Sequence, residues 1–204
     1  KITYLADERG IVRSNLFLRC ADRVMVKMGE FDALTSEDLF QQTKALPWEE
    51  WIPSDGKFTV NCTTVQSKLR SESACQKTVK KAVVDRLSEI YLMDTFPETG
   101  AEYTIKATIL RDRATLTIDT SGAGLHKRGY RVENVAAPIK ETLAAAMVQL
   151  SFWNPERHLI DPFCGSGTIA IEAAMLMRNI APGLSRGFAS QKWDCISPEI
   201  WKEE

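Results

Sequence analysis

The stretch HLIDPFCGSGTIAIEAAM, residues 158–175, predicts a strand, a glycine turn and a helix. The apolar residues 158–160 favour the end of a buried strand, and Pro162 ends it because proline cannot donate to a strand ladder. Beyond Gly165 and Gly167, small and apolar side chains recur at helical spacing, at Ala170, Ala173, Ala174 and Met177. A strand, a glycine turn and a helix of small residues form half of a nucleotide-binding βαβ unit.

The glycine turn narrows the class of ligand. Glycines let the backbone approach a bound molecule, and a helix N-terminus offers unpaired N–H groups with partial positive charge. A phosphate-binding P-loop is disfavoured because Thr168 follows Gly167 where that loop needs lysine. Residues 165–170 fit the dinucleotide pattern G-x-G-x-x-A, but residues 181–187 lack the acid that this pattern requires about 20 residues on. S-adenosylmethionine is the third class, since an acid at the strand end can meet its ammonium group.

Residues 161–168, DPFCGSGT, resemble the first cofactor motif of class I methyltransferases, in the form used by amino-methylating enzymes. With their continuation to residue 174, they are similar to bacterial THUMP-domain methyltransferases that act on a guanine N2 of 23S ribosomal RNA. The resemblance implies S-adenosylmethionine as cofactor, with Asp161 at its ammonium end and Phe163 over its apolar part. The cofactor-binding residues that it implies are Asp161, Phe163, Cys164, Gly165, Ser166, Gly167 and Thr168.

Residues 137–143 are predicted to open a second helix, with a proline in its first turn. Its apolar stripe is Ile139, Leu143, Met147 and Leu150, which core packing alone explains. In the family that the chain resembles, the matching Ala-Pro-x-x-Glu segment lines the cofactor pocket. The resemblance therefore adds Glu141 and Thr142 as candidate cofactor-binding residues.

Composition limits the class of protein. With 204 residues, 44% hydrophobic and 26% charged, the chain can form one large or two small globular domains, and no stretch is apolar enough to span a membrane. Five cysteines without a C-x-x-C pair predict the reduced thiols of a cytoplasmic protein. Two histidines, far apart at positions 126 and 158, argue against a metal centre.

Basic charge is concentrated in the middle of the chain. Residues 57–131 carry 13 basic and 8 acidic side chains, whereas the flanking stretches are each net negative by three. A strand around residues 58–62, a helix after Ser71 and a hairpin turning at residues 111–113 resemble, in that order, the THUMP fold of RNA-modifying enzymes. The resemblance implies that RNA phosphates are met by Lys68, Arg70, Lys77, Lys80, Lys81, Arg111 and Arg113.

A basic segment follows the hairpin. Residues 126–131, HKRGYR, resemble the family signature Leu-His-x-Arg-Gly-Tyr-Arg between the two domains. Lys127, Arg128 and Arg131 suit contacts with a phosphate or with the cofactor's carboxylate, and they are retained as RNA-binding candidates. A salt-bridge role that joins the domains is an equally open interpretation.

The expected fold class is α/β, in which an α+β N-terminal part precedes the start of a Rossmann-like methyltransferase domain. The predicted segments are a ferredoxin-like part (1–56), a THUMP domain (57–120), a linker (121–134) and the methyltransferase part (135–204). Residues 2–5 are predicted as a strand, residues 24–28 as another, and Thr35 or Ser36 as the cap of a helix that ends at Pro47.

No catalytic residue is assigned, because the acceptor motif of this group, Asn-Pro-Pro-aromatic, is missing. The chain opens on Lys1, and only 44 residues follow Ile160, so we expect a piece of a longer enzyme, truncated at both ends and inactive alone. The expected function of that enzyme is RNA methylation at a base amino group. The alternatives are an adenine-N6 DNA methyltransferase, a non-catalytic RNA-binding module and, more distantly, a nicotinamide dehydrogenase.

Overall fold

The computed structural model describes residues 1–131 and 138–204. The chain forms two compact units. The first, unit 1, comprises Lys1–Val24, Ala123–Gln191 and Ser197–Glu204; the second, unit 2, comprises Met25–Gly122 and Lys192–Ile196. Among the residues described, no helix combines the length and the apolar character needed to cross a membrane.

Six α-helices are present in the described residues. They are α1 (Glu8–Phe17), α2 (Ser36–Lys44), α3 (Glu72–Tyr91), α4 (Glu141–Leu150), α5 (Thr168–Met177) and α6 (Pro198–Glu203). The strands are β1 (Met25–Asp32), β2 (Lys57–Val65), β3 (Glu102–Leu110) and β4 (Arg113–Asp119). Two short 3-10 turns are added at Trp48–Glu50 and Ala189–Lys192.

Unit 2 is built on a four-stranded mixed sheet in the order β1-β4-β3-β2. Strands β2 and β3 are parallel because α3 carries the chain back across the sheet, and the other neighbours are antiparallel. Alternate residues of β3 and β4 face a core with the apolar side of α3. The fully buried members of this core include Val79, Ala82, Val83, Ile105, Ile109, Ala114, Leu116 and Ile118.

The predicted starts of α2 and α3 and the predicted hairpin of unit 2 agree with the structure, whereas α2 ends at Lys44, before the predicted end at Pro47. The Thr35 hydroxyl accepts from the Asp38 N–H at 3.1 Å while the Asp38 carboxylate accepts from the Thr35 N–H at 2.9 Å, so a reciprocal capping box starts α2. Ser71 caps α3 in the same region of sequence where the cap was expected. Arg111 and Asp112 have positive φ angles, which gives the two-residue turn that β-hairpins favour.

A short return of the chain completes the core of unit 2. Trp193, in the segment Lys192–Ile196, stacks on Tyr103 with ring centroids 4.8 Å apart. Its indole N–H donates to the Glu102 carbonyl at 3.2 Å, and its ring meets Trp51 edge-on at 6.3 Å. Trp193 is 1% exposed, so this late segment is an integral part of the unit.

Two strand predictions in unit 1 were wrong. Residues 2–5 precede α1 without strand structure, and Leu5 is fully exposed. Residues 158–160 are likewise irregular, and Ile160 is 84% exposed. An isolated strand leaves its N–H and C=O groups unpaired, and in the described part of unit 1 no strand offers a partner.

The predictions for α4 and α5 need correction as well. Helix α4 begins at Glu141, so Pro138 precedes the helix instead of lying in its first turn. Its predicted stripe is largely exposed at Leu143, Met147 and Leu150, and its inner side is instead Glu141, Thr142, Ala144, Ala145 and Val148. On α5, which packs against α4, Ala173 is the one residue of the predicted stripe that is buried. The buried residues Ala144 and Ala145 of α4 and Ala173 of α5 have small side chains, which allow two packed helices to approach closely.

Candidate cofactor turn and basic face

A left-handed glycine turn leads into α5. Gly165 and Gly167 have φ angles of +53° and +73°, which side chains with a Cβ adopt only at a cost. The Gly167 N–H donates to the Cys164 carbonyl at 2.8 Å, which closes the turn directly in front of Thr168. Because Gly167 stands at the cap position and has no side chain, it leaves the first N–H groups of α5 without a capping acceptor.

The outer face of this turn is open. A Cβ built on Gly165 would meet no atom within 4 Å, and one on Gly167 would meet only Ile171 Cδ1, at 4.0 Å. Phe163 is 94% exposed, and the half-buried Asp161 accepts the N–H of Phe163 at 3.3 Å. The turn therefore offers free backbone donors, space, a carboxylate and an exposed aromatic ring. This set fits the amino-acid end and the apolar part of S-adenosylmethionine.

Arg131 connects the glycine turn to α4. Its Nη1 donates to Ser166 Oγ and its Nη2 to Thr168 Oγ1, both at 3.0 Å. Its Nε donates to Glu141 Oε1 at 3.0 Å, where Glu141, the first residue of α4, is 6% exposed. Thr142 is also buried. The two α4 candidates thus lie on the buried side of their helix, and Glu141 is linked to the turn through Arg131.

Arg128 is buried in an internal network. Its Nε lies 3.4 Å from Glu172 Oε1 of α5, and its Nη1 donates to the Leu125 carbonyl at 2.7 Å. The Tyr130 hydroxyl donates to the same Glu172 oxygen at 3.1 Å; burial raises the pKa of Tyr130, and the nearby Glu172 carboxylate raises it further. A guanidinium bonded in this way does not face solvent phosphate. Arg128 is therefore withdrawn from the RNA-binding candidates; its salt bridge lies within unit 1 and does not join the domains.

Sequence reasoning missed Glu172 and Tyr130. Glu172 is a charged residue 1% exposed within a helix of small and apolar side chains, beside the buried Ala173. A lone acid on the inner side of such a helix is a signal for a buried cation, and the basic segment 126–131 supplies one. Its partner could not be identified from spacing because 44 residues separate Arg128 from Glu172.

Unit 2 presents a basic rim at one end of its sheet. A depression of about 530 Å³ is lined there by Thr64, Gln66, Ser67, Lys68, Arg70 and Asp112. The Lys68 N–H donates to Asp112 Oδ1 at 2.6 Å, and Arg111 Nε donates to Gln66 Oε1 at 3.3 Å, so the loop before α3 is tied to the hairpin turn. The side chains of Lys68, Arg70 and Arg111 are exposed around this depression.

The other cations predicted to contact RNA are distributed differently. Lys77, Lys80 and Lys81 are exposed on α3, and the last two lie over aromatic rings, with Nζ 5.9 Å from the Phe58 centroid and 5.6 Å from the Phe40 centroid. Arg113 pairs with Glu30 and Asp32 on β1, so its charge is already compensated. Lys127 is exposed and belongs to unit 1.

Two families match the chain. The THUMP domain matches residues 33–119, and the RMKL-like methyltransferase domain matches residues 128–203. The chain is 50% identical to a candidate RNA methyltransferase, YpsC of Bacillus subtilis, over 100% of this chain and 53% of that protein. It is 38% identical to the ribosomal RNA large subunit methyltransferase K/L of Psychromonas ingrahamii, over 92% of this chain and 25% of the relative.

Solved structures share the fold closely. A predicted N6-adenine-specific DNA methylase from Listeria monocytogenes is 52% identical with a TM-score of 0.94, covering 97% of this chain and 52% of that one. SMU.472, a candidate methyltransferase solved with SAH, is 44% identical with a TM-score of 0.92, covering 97% and 53%. These matches confirm the predicted α/β fold class and the resemblance to THUMP-domain methyltransferases. The chain spans about half the length of YpsC and of both solved neighbours.

Proposed function

We propose, from the premise that this chain joins a THUMP domain to an RMKL-like methyltransferase domain, that the whole protein is an RNA methyltransferase. It transfers methyl from S-adenosylmethionine to a base amino group, with guanine N2 of 23S ribosomal RNA as the target, and works in the cytoplasm. The observation that carries the proposal is the open, left-handed glycine turn before α5. The ferredoxin-like, THUMP and methyltransferase segments predicted from the sequence are part of the same proposal.

The cofactor turn has a defined division of roles. S-adenosylmethionine supplies an electrophilic methyl group on its sulfonium. Asp161 attracts the ammonium of the cofactor, Phe163 covers its apolar part, and the N–H groups at the start of α5 receive its carboxylate. Glu141 and Thr142 support the pocket from α4. The SAH bound to SMU.472, which is 44% identical to this chain, supports this cofactor.

RNA is held by the basic rim and by α3. Lys68 and Arg70 line the depression in unit 2, Arg111 is bonded to Gln66 of the same lining, and the exposed amines of α3 extend the positive surface. Such side chains contact phosphates and fix register, with little sequence readout. Because a guanine amino group is a weak nucleophile, the rate depends on holding it in position.

Calorimetric titration of the 204-residue chain with SAH tests the cofactor turn. We expect saturable binding of SAH, none of NAD, and a clear loss of SAH affinity in Asp161→Ala. Asp194→Ala, which alters an exposed acid of unit 2, is the matched control. Preference for NAD would support a dehydrogenase, and an unchanged affinity in Asp161→Ala would support a non-catalytic RNA-binding module.

Nucleoside analysis tests the target. The whole protein, incubated with labelled S-adenosylmethionine and 23S ribosomal RNA, is expected to produce N2-methylguanosine. The Listeria neighbour favours a second candidate, adenine-N6 methylation of DNA. Label in N6-methyladenine of duplex DNA, with none in ribosomal RNA, would replace our proposal by that candidate.

A further inference from the structure

We propose that Arg131 is a positioning residue for the cofactor turn, which it holds against the buried carboxylate of α4. This inference rests on the proposed function, because the turn in question is the one assigned to S-adenosylmethionine. The sequence left Arg131 as a contact for a phosphate or for the cofactor's carboxylate. The structure instead directs its donors at side chains of the protein itself.

The Arg131 guanidinium connects three side chains from two helices and the turn. Ser166 Oγ and Thr168 Oγ1 each accept from it at 3.0 Å, and these two oxygens lie 3.0 Å from one another. On the other side, Glu141 Oε1 lies 3.0 Å from Nε and 2.9 Å from Nη2. A planar guanidinium with fixed donor directions imposes one relative geometry on its three partners.

The backbone of the glycine turn has few other contacts that restrict it. Gly165 and Gly167 flank Ser166, both in the left-handed region, and almost no protein atom approaches their outer face. Glycines carry the largest backbone freedom of any residue, which must be removed when a ligand binds. The Ser166 hydroxyl is the side chain through which Arg131 can remove that freedom in advance. A turn ordered before binding takes its ligand with a smaller entropic cost.

Helix stability alone does not explain the position of Arg131. A cation at a helix N-terminus is opposed by the helix dipole, and Arg131 donates to the first residue of α5. Glu141, 6% exposed, compensates that charge, but an ion pair removed from water adds little net stability. The arrangement is better explained by its effect on the shape of the turn.

Variants of the 204-residue chain test the inference through SAH affinity measured by calorimetry. We expect Arg131→Met to weaken binding by about tenfold or more, and Ser166→Ala by a smaller factor. Combining them should weaken binding no further than Arg131→Met alone, because both changes remove the same contact. Arg131→Lys should still bind SAH weakly, because lysine keeps the positive charge but lacks the planar guanidinium with its several fixed donors. Arg178→Met, at the exposed far end of α5, is the control and should bind as the wild type does.

Hydrogen exchange without cofactor gives a second readout. In Arg131→Met we expect faster exchange at the Gly167 amide, which donates to the Cys164 carbonyl, with the other protected amides of unit 1 unchanged. Wild-type SAH affinity in both Arg131→Met and Ser166→Ala would overturn the positioning role and leave the proposed function intact. Full rescue by lysine would also overturn it, in favour of a charge effect. If Arg131→Met does not fold, Ser166→Ala decides. If neither the wild-type chain nor the whole protein binds SAH, both proposals are overturned.

Discussion

Arg128 and Glu172 form an ion pair inside unit 1, with Nε 3.4 Å from Oε1 and side-chain exposures of 2% and 0%. Arg128 Nη1 also donates to the Leu125 carbonyl, and Tyr130 shares the Glu172 oxygen. Removing one member of a buried pair leaves the other charge desolvated and uncompensated. The pair therefore holds the segment around Tyr130 on α5.

Glu172→Gln is expected to lower the free energy of unfolding by about 3 kcal/mol, because Arg128 would stay buried without a counter-charge. Urea unfolding followed by circular dichroism measures the loss. Glu203→Gln, which removes an exposed partner of Arg9, is the control and should cost less than about 1 kcal/mol. An equal loss of unfolding free energy in the two variants would contradict the argument that burial makes the Glu172 charge important.

Trp193→Ala is expected to destabilise unit 2 by about 3–5 kcal/mol, since it empties a fully packed site beside Tyr103. Trp193→Phe should recover part of the loss because a ring still covers Tyr103. Thermal unfolding, monitored by near-ultraviolet circular dichroism, reports the change. Phe152→Ala, at a residue 84% exposed, should leave the melting temperature nearly unchanged. A Trp193→Ala protein as stable as Phe152→Ala would disprove the packing argument.

Two glycine variants should separate stability from cofactor binding. At Gly183 a Cβ would lie 2.8 Å from Leu16 Cα and 3.0 Å from the Asn15 carbonyl, so Gly183→Ala should unfold most easily. At Gly165 a Cβ meets open space. Gly165→Ala should therefore lower the free energy of unfolding by only about 1 kcal/mol, which is the cost of holding alanine in a left-handed backbone conformation. Gly165→Ala should nevertheless lose SAH affinity, because its methyl group would occupy the open face that we propose for the cofactor. Denaturant titration and calorimetry, performed on both variants, check this opposite ranking.

The Arg86–Glu49 pair predicts a pH dependence of stability. Arg86 donates from Nε at 3.0 Å and also from Nη2, and these hydrogen bonds hold the pKa of Glu49 below its ordinary value. Because the pKa of Glu49 is lower in the folded state, its ionised carboxylate stabilises the fold. This contribution is complete above the unfolded-state pKa, about 4.3, and is lost as the pH falls through the folded-state pKa. Arg86→Met should therefore flatten the decline of stability between about pH 5 and pH 3. Unfolding measured across that range checks it, with Lys57→Met, which removes an exposed pair, as the control.

The basic rim predicts the salt dependence of RNA binding. Replacing Lys68 and Arg70 together by glutamine should weaken binding of single-stranded RNA and lower the log–log salt slope by about 1.4, at about 0.7 for each lost phosphate contact. Fluorescence anisotropy over a series of salt concentrations measures the slope. Lys202→Gln, an exposed change in α6, should leave it unaltered. An unchanged slope in the double variant would place the RNA elsewhere.

Most of unit 2 could be predicted because its signals are local in sequence. Thr35 and Asp38 specify a capping box within four residues, and alternation over β3 and β4 specifies the hairpin. The buried side of α4 could not be predicted in this way. Both its apolar stripe and its alanine face have helical periodicity, and only the partner helix decides which of the two is covered.

The candidate site likewise has one part that the sequence predicts and one part that it does not. Gly165 and Gly167 indicate the turn directly, because few other patterns place two left-handed residues before a helix of small residues. The role of Arg131 could not be predicted, since its partners stand 10, 35 and 37 residues away in the sequence. From composition alone, a cation in a basic segment is expected to contact a phosphate. The fold, however, determines which acceptors its side chain reaches.

The return of residues 192–196 to unit 2 affects how the protein can be dissected genetically. Coding boundaries drawn at the THUMP match, residues 33–119, would omit strand β1 and also Trp193, which would expose the ring of Tyr103 to water in the isolated piece. Such a product would precipitate for reasons unrelated to RNA. Joining residues 192–196 through a short tether to a piece that spans residues 25–122 is the remedy, and it would make unit 2 available as an autonomous reagent.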